Sequence, residues 1–466
     1  MNKVTNTREL CSEFIRESLA EIQKVVSDIP TIPSFFVRTD ERRTGRYQFV
    51  ETEQTNWWLL PKTLKQLLNF TTRGQKLATL FEETAPFSEV IGKCITISDF
   101  MIGSSYKSGK SIVETFLTSY LFAAGCHKWS ASKFDRIWND CLDYFDPSVA
   151  TLEYFLFAPV DKIFGIKSHI TLDDGLVIRR LPLERVAELA SLDDNLAGRH
   201  VVHRLTLWTT CFFVKRLHSK KIVEPDGSRM ASNTGDALRW ESVLNEEVAL
   251  LRSLLSVEIS VPTFSFIRDG YPRYDGTGIL NSLPWRTRSP FSDTRVTDKD
   301  VRRYVKRRAK FLALHGEPGW ENAAISMRRF AIAWENPFRA DILADIVTAL
   351  EQLVVDSNTE VSYKLRTRVA HFLGRSHTER QAIAKNINDA YVLRSKVVHG
   401  GYVFDNPREL EGARRMKGAK GKGGNPFHDI NEIQRLIYSV SQYYRTILNY
   451  MIDRSTSKIY WDERAL

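Results

Sequence analysis

The stretch TERQAIAKNINDAYVLRSKVVHGG, which covers residues 378–401, carries the clearest structural signal in the chain. Its apolar residues recur near one side of a helix, as Ile383, Ile387 and Ala390 show. The two glycines that follow His399 provide a helix stop. The pattern therefore predicts one long helix that ends on a histidine.

The segments on both sides of this stretch have the same helical character. Thr297 is followed by Asp298 and Asp300, which is typical of a capped helix with carboxylates in its first turn. Helical apolar spacing also occurs over residues 320–334, 341–355, 363–373, 378–399 and 430–453. Because short connections between helices favour antiparallel neighbours, residues 294–466 are predicted to form an all-α bundle.

The first 293 residues show a different, mixed pattern. Helices are predicted over residues 8–27, 57–70, 109–124, 132–144 and 235–255. Strands are predicted within residues 34–51, as a hairpin over 169–181 with an Asp-Asp-Gly turn, and over 200–217. The sequence thus predicts a multi-domain α+β protein. Its expected regions are a mixed α/β region at 1–149, a β-rich α+β region at 150–293 and the helical bundle at 294–466.

The composition is that of a basic globular protein. Its 466 residues, of which 43% are hydrophobic and 26% charged, suit two or three domains. The net charge of +10 favours a polyanionic partner. The sequence has neither a long apolar run nor a signal-peptide pattern, so a cytoplasmic location without a membrane partner is expected. Its five cysteines form no CxxC pair, so no zinc site, disulfide framework or cofactor is predicted.

Two short motifs suggest ligand sites but fail on spacing. GSSYKSGKS at residues 103–111 has five residues, where a phosphate-binding loop has four, between its first glycine and Gly-Lys-Ser. No clear buried strand is predicted before it, so a turn that leads into a helix is the better interpretation. His200 and His203 would point to opposite faces of a strand, without an acidic third ligand nearby.

The sharpest chemical candidate is the R-x4-H pair of Arg394 and His399. The spacing alone is not specific, because Arg366 and His371 repeat it in another predicted helix. Five residues turn an ideal helix by about 140°, but His399 lies at the helix end, where it can turn toward Arg394. A proton-transferring histidine and a phosphate-binding arginine suit RNA cleavage without metal, in which the ribose 2′-OH attacks phosphorus. A two-fold dimer would present two such pairs in one cleft.

The segments DILADIVTALEQLVV and VSYKLRTRVAHFLGRSHTERQAIAKNINDAYVLRSKVVHGG together resemble the Apea-like branch of the HEPN domains. The resemblance covers about residues 297–460 and rests above all on YVLRSKVVHG. It implies a helical bundle, dimerisation through the motif helices and a metal-independent endoribonuclease. It also implies a prokaryotic antiviral or abortive-infection system, in which cleavage of tRNA or other RNA halts growth. Arg394 and His399 match the family's catalytic positions, and Ser395 stands where catalytic members often have Asn, Asp or His.

Further residues are predicted to support this site, although each also has an ordinary structural interpretation. Glu351 is expected to face the bundle interior and orient Arg394, Tyr391 to pack or stack on a base, and Lys396 to contact phosphate. A basic loop after the motif is predicted to follow an RNA backbone through Arg414, Arg415, Lys417, Lys420 and Lys422. RRYVKRRAK at residues 302–310 forms a second basic cluster, on a helix.

Three functions remain open on this evidence. The first is an endoribonuclease effector, with residues 1–293 as a sensor of an invader-derived signal. The second is a non-catalytic HEPN module that binds RNA or nucleotide or acts as a dimerisation platform, an alternative that Ser395 favours. The third is a structural or assembly protein, in which Arg394 serves folding or association rather than chemistry.

Overall fold

The computed structural model separates the chain into two units, each assembled from several segments. Unit 1 contains residues 1–161, 168–242 and 263–280, and unit 2 contains residues 162–167, 243–262 and 281–466. The structure describes residues 3–25, 31–32, 54–55, 72–97, 102–124, 128–160, 163–164, 169–172, 175–181, 211–224, 235–255, 259, 261, 263–268, 270–272, 274–279, 294–336, 338–356, 359–399, 430–457 and 459. The predicted helix at 57–70 and the strands expected within 34–51 lie outside these residues.

The secondary structure combines helices with mostly antiparallel strands, which confirms the predicted α+β class. The helices are α1 (Lys3–Val25), α2 (Thr72–Glu83), α3 (Phe87–Val90), α4 (Gly109–Ala124), α5 (Ala131–Phe145), α6 (Gly235–Leu254), α7 (Asp298–Leu314), α8 (Glu321–Ala333), α9 (Arg339–Val354), α10 (Val361–Leu373), α11 (His377–Val398) and α12 (Ile430–Arg454). The strands are β1 (Thr31–Ile32), β2 (Gln54–Thr55), β3 (Cys94–Ile97), β4 (Ile102–Ser105), β5 (Thr151–Pro159), β6 (Ile163–Phe164), β7 (Ile170–Thr171), β8 (Val177–Arg180), β9 (Cys211–Glu224), β10 (Thr263–Ile267), β11 (Tyr274–Ile279) and β12 (Thr294–Arg295).

Unit 1 contains one large antiparallel sheet and the separate antiparallel pair of β1 and β2. Six of its strands follow the order β11-β10-β5-β9-β3-β4, and β8 pairs with both β9 and β7. The hairpin predicted over 169–181 is confirmed, since Ile170 in β7 lies opposite Ile178 in β8. Strand β9 pairs with β5 on one side and with β3 on the other. The regions expected on either side of residue 150 therefore share a single sheet.

Strand β9 shows how the sheet binds its helices. From Arg216 to Lys221 exposed and buried side chains alternate, as they do in a strand with one covered face. The buried Lys221 ammonium donates hydrogen bonds to the carbonyl oxygens of Asp143, Tyr144 and Asp146 at 2.9, 3.0 and 2.5 Å. These carbonyls belong to the C-terminal end of α5, where a cation is favoured. Burial lowers the pKa of Lys221 to about 8.

In unit 2, every helix or strand that the structure describes between Asp298 and Arg454 is a helix. The predicted helices at 320–334, 341–355, 363–373, 378–399 and 430–453 are confirmed within two residues at each end. Thr297 caps α7 as predicted: its Oγ1 accepts from the Asp300 amide at 3.3 Å, and Asp300 accepts from the Thr297 amide at 3.0 Å. Among the helices in the described ranges, none has the length and apolarity to span a bilayer.

The core of unit 2 brings α8, α9 and α12 together. Phe330 of α8 stacks on Tyr444 of α12, with ring centroids 4.1 Å apart. The buried Ser326 hydroxyl donates to the Ala349 carbonyl oxygen at 2.7 Å and so joins α8 to α9. These contacts fix α9, and therefore Glu351, with respect to the neighbouring helices.

Candidate active site

The R-x4-H motif lies in the last turns of α11. Ser376 caps the N-terminus of this helix by accepting a hydrogen bond from the Glu379 amide at 3.2 Å. At the other end the His399 amide donates to the Ser395 carbonyl oxygen at 3.1 Å, and His399 is the C-terminal cap. The prediction that the helix ends on this histidine is confirmed.

Burial along α11 decides where Arg394 lies. Ile387, Ala390 and Leu393 are buried at intervals of three residues and form the face that packs into the bundle. Arg394 follows Leu393 at the border of that face, and its side chain retains 23% exposure. The side chain is therefore anchored in the protein, and part of it stays open to solvent.

Glu351 of α9 holds this guanidinium. Its Oε2 lies 3.2 Å from Arg394 Nη2, and its side chain is only 12% exposed. This contact is the one that the sequence predicted between Glu351 and Arg394. Burial raises the pKa of Glu351, and the nearby Arg394 and Arg329 only partly oppose that effect. No sequence motif indicated Arg329, which pairs with Asp345 at 3.0 Å.

The ion pair leaves hydrogen-bonding capacity unused. Within the described residues, neither Arg394 Nε nor Glu351 Oε1 has a hydrogen-bond partner, although both atoms are buried. The Arg394 guanidinium also lies over the Tyr391 ring, 5.7 Å from its centroid. Tyr391 thus packs against Arg394, as one of its two predicted roles requires. An arginine that is fixed on two sides while 23% of its side chain stays exposed is prepared to bind an anion.

His399 has a different setting. Its side chain is exposed and, among the residues that the structure describes, forms no hydrogen bond or ion pair. The structure therefore does not join His399 to Arg394, and an ideal helix turns their side chains about 140° apart. Ser395 is half-buried between them and Lys396 is exposed. Arg414, Arg415, Lys417, Lys420 and Lys422 lie outside the described residues.

The GSSYKSGKS segment corrects one expectation and supports another. Strand β4 (Ile102–Ser105) overlaps the first three residues of this segment, although no strand was predicted before it. The helix that follows, α4, begins at Gly109, whose amide donates to Glu82 Oε1 at 2.8 Å. A Cβ at Gly109 would lie 2.0 Å from the Ala78 carbonyl oxygen, so glycine is needed for close packing. Because a carboxylate already occupies this helix N-terminus, the segment is better explained as a structural turn than as a phosphate site.

The comparisons add no relative to this picture. No protein-family model matches the chain, and neither a curated protein nor a solved structure matches it. Among the described residues, no group of three or more His, Cys, Asp or Glu side chains is arranged to hold a metal ion. His200 and His203 are outside those residues.

Proposed function

We propose that the chain is a ribonuclease of the metal-independent class, in which a histidine moves a proton and an arginine stabilises the phosphoryl charge. More narrowly, we propose an Apea-like HEPN endoribonuclease that acts through Arg394 and His399. The observation that carries the proposal is the state of Arg394, which Glu351 and Tyr391 hold in place while 23% of its side chain stays exposed. His399 stands exposed at the end of the same helix.

The chemistry follows from these positions. His399 takes the proton from a ribose 2′-OH, and the oxygen attacks the adjacent phosphorus. Charge then builds on the phosphoryl oxygens, where the Arg394 guanidinium binds them in its planar fork. The 5′-oxygen leaves with a proton from a second general acid, and the other product keeps a 2′,3′-cyclic phosphate.

A homodimer through α11 would supply that second group. Val392 and Val398 of α11 are exposed by 42% and 58%, so apolar side chains stand beside the motif. Val392 lies two turns before His399, and both point to the same side of the helix. A partner that covers this side would place two histidines near one cleft, which supports the proposed dimer.

The proposed biological role rests on the family resemblance alone. It is an effector of a prokaryotic antiviral or abortive-infection system, with residues 1–293 as the sensor of an invader-derived signal. RNA, with tRNA as one candidate, is the proposed partner. If the isolated C-terminal third, residues 294–466, and the whole chain cut RNA equally, with and without infection, the sensor role would be lost.

A second candidate is a non-catalytic bundle that binds RNA or forms a dimer. The ion pair between Arg394 and Glu351 favours it, because a half-buried pair is also a structural element. In that case Arg394→Ala should impair folding or association, and His399→Ala should change nothing that depends on chemistry.

The decisive experiment compares wild type, Arg394→Ala and His399→Ala. The three proteins are first matched for folding by circular dichroism and for association by light scattering. Each is then incubated with total tRNA in EDTA, and the fragment ends are mapped. Cleavage by wild type alone with 2′,3′-cyclic phosphate ends supports the proposal. Equal cleavage by wild type and His399→Ala contradicts the proposal. If wild type shows no activity, the assay is repeated with extract from infected cells.

A further inference from the structure

Helix α7 carries seven cations between Lys299 and Lys310, and the structure divides them into two groups. The first group holds the helix in the bundle. Buried Arg308 pairs with buried Glu247, with Nε 2.9 Å from Oε2. Arg307 Nε donates to Asp453 at 3.0 Å, and Lys310 donates to the Asp453 carbonyl oxygen at 2.6 Å. These three cations have partners that explain their presence.

The second group is the α7 basic face, formed by Lys299, Arg302, Arg303 and Lys306. All four side chains are exposed, and none has an ion pair or hydrogen bond with a described residue. On an ideal helix they fall within an arc of about 100°, opposite the buried Tyr304 and Arg308.

The acidic residues of α7 offset only part of the charge of this face. Asp298 and Asp300 project to either side of the arc, where Asp298 is four residues before Arg302 and Asp300 is three residues before Arg303. The hydrogen bonds of Asp300 to Thr297 also commit its carboxylate to the helix cap, and they lower its pKa. The outward arc between Lys299 and Lys306 therefore carries four cations, with a carboxylate on either side of it, and keeps a net positive charge.

Such a face is unfavourable for the isolated protein. Its members are spaced three or four residues apart, and each like-charged pair at that spacing destabilises a helix by roughly 0.2–0.5 kcal/mol. The anchoring of α7 through Arg307, Arg308 and Lys310 does not require these four charges. A polyanion that lies along the face would remove the repulsion and release counterions.

We propose that the α7 basic face binds the phosphate backbone of RNA. This inference rests on the proposed function, because it assigns an anchoring surface to the substrate of that site. Lys299 and Lys306 are about 10 Å apart along the helix axis, a length that spans a few phosphates of one strand. The face offers charge without aromatic side chains, so it would position RNA without reading its sequence.

The test uses two variants with identical charge changes. Arg302→Gln, Arg303→Gln and Lys306→Gln together neutralise the face. Arg328→Gln, Arg375→Gln and Lys385→Gln together remove two arginines and one lysine, all exposed, from other places in unit 2. Binding is measured by fluorescence anisotropy on a labelled, single-stranded 2′-O-methyl RNA, which cannot be cleaved by 2′-OH attack. Matched circular dichroism spectra and melting curves show that both variants fold.

We expect the α7 variant to bind about 10- to 100-fold more weakly at moderate salt, with a salt dependence shallower by about 2 in log–log slope. The control variant should stay close to wild type. The inference would be overturned by an equal loss of RNA affinity in both variants or by unchanged binding of the α7 variant. It would also be overturned if wild type bound poly-glutamate but not the RNA.

The two proposals can fail separately. If wild type cleaves tRNA and the α7 variant binds the probe normally, the proposal for the basic face is wrong and the nuclease proposal stands. If RNA binding depends on the face but replacing Arg394 or His399 does not change cleavage, the nuclease proposal is wrong and an RNA-binding protein remains.

Discussion

Helices α10 and α11 each carry an arginine and a histidine five residues apart, but their surroundings differ. In α10 the Arg366 guanidinium lies over the exposed Tyr363 ring, and His371 is inside the last turn. In α11 the arginine is held by the buried carboxylate of Glu351, and the histidine caps the helix end in solvent. The R-x4-H spacing therefore fixes only the separation of the two residues along the chain. The surrounding helices determine the environment, and so the possible chemistry, of each side chain.

The two histidines show the contrast most clearly. Burial and, to a smaller extent, Arg380 lower the pKa of His371, so its environment favours the neutral ring. His399 follows the last helical residue, Val398, so its ring is not confined between successive turns. A group that must approach a substrate needs the second arrangement.

Histidine replacement should give the largest difference between the helices. Removing the proposed proton acceptor by His399→Ala should lower the rate of RNA cleavage by about 10²- to 10⁴-fold. His371→Ala should keep cleavage near the wild-type rate. Rates are measured on a defined RNA under single-turnover conditions, and melting curves check that both variants fold. An equal loss from both substitutions would mean that the α11 pair has no special role.

Arginine replacement should give the next largest difference. Arg394→Ala removes the cation that stabilises the phosphoryl oxygens, for which a loss of about 10²- to 10³-fold is expected. Arg394→Lys should recover only part of the rate, because lysine cannot offer a planar fork. Arg366→Ala serves as the matched control and should retain activity. If Arg394→Ala instead abolishes dimerisation or folding, the structural interpretation of the Glu351 pair is correct.

The helices of unit 2 could be predicted because their signals are local. Apolar spacing and a cap residue such as Thr297 act within a few residues, so the start of α7 and the bounds of α8–α12 follow from the sequence. Sheet pairing is not local. Strand β9 lies more than 100 residues after β3, and no pattern near residue 150 shows that β3 and β5 flank the same strand.

The site was predictable only in part for the same reason. The contact of Glu351 with Arg394 joins residues 43 apart in sequence, and the family resemblance, rather than any pattern of spacing, suggested it. Arg329 lies close enough to lower the pKa of Glu351 only because α8 packs on α9, so no pattern in its own segment indicated this effect. Likewise, the cluster RRYVKRRAK does not reveal which cations are anchored until Glu247 and Asp453 are placed.

Glu351→Gln sharpens the comparison, because Arg366 in α10 has no equivalent carboxylate among the described residues. We expect about a tenfold lower kcat with little change in KM, since loss of the charge loosens the guanidinium rather than removing it. Glu351→Asp should restore part of the rate if positioning is the cause. A raised KM with normal kcat would assign Glu351 to substrate binding instead.

The same variant has a signature in stability. Because burial raises the pKa of Glu351 in the folded state, the folded protein binds more protons than the unfolded chain between the two pKa values. Wild-type stability should therefore fall as pH rises through that interval, above about 4.3. Glu351→Gln should lack this contribution. Urea denaturation across the acidic range measures it, and identical pH slopes in the two proteins would contradict the burial of an ionisable Glu351.

The smallest expected effect concerns His371, and its sign is opposite. The folded-state pKa of His371 is lowered, so the unfolded chain takes up more protons once the pH falls below about 6.5. Stability should therefore decrease as the pH is lowered through this value, and His371→Gln should show a shallower decrease than wild type. Urea denaturation at pH values above and below it gives the difference in free energy of unfolding. If the decrease is unchanged, His371 is as accessible to protons in α10 as in the unfolded chain, and the proposed contrast between the two histidines would then depend on His399 alone.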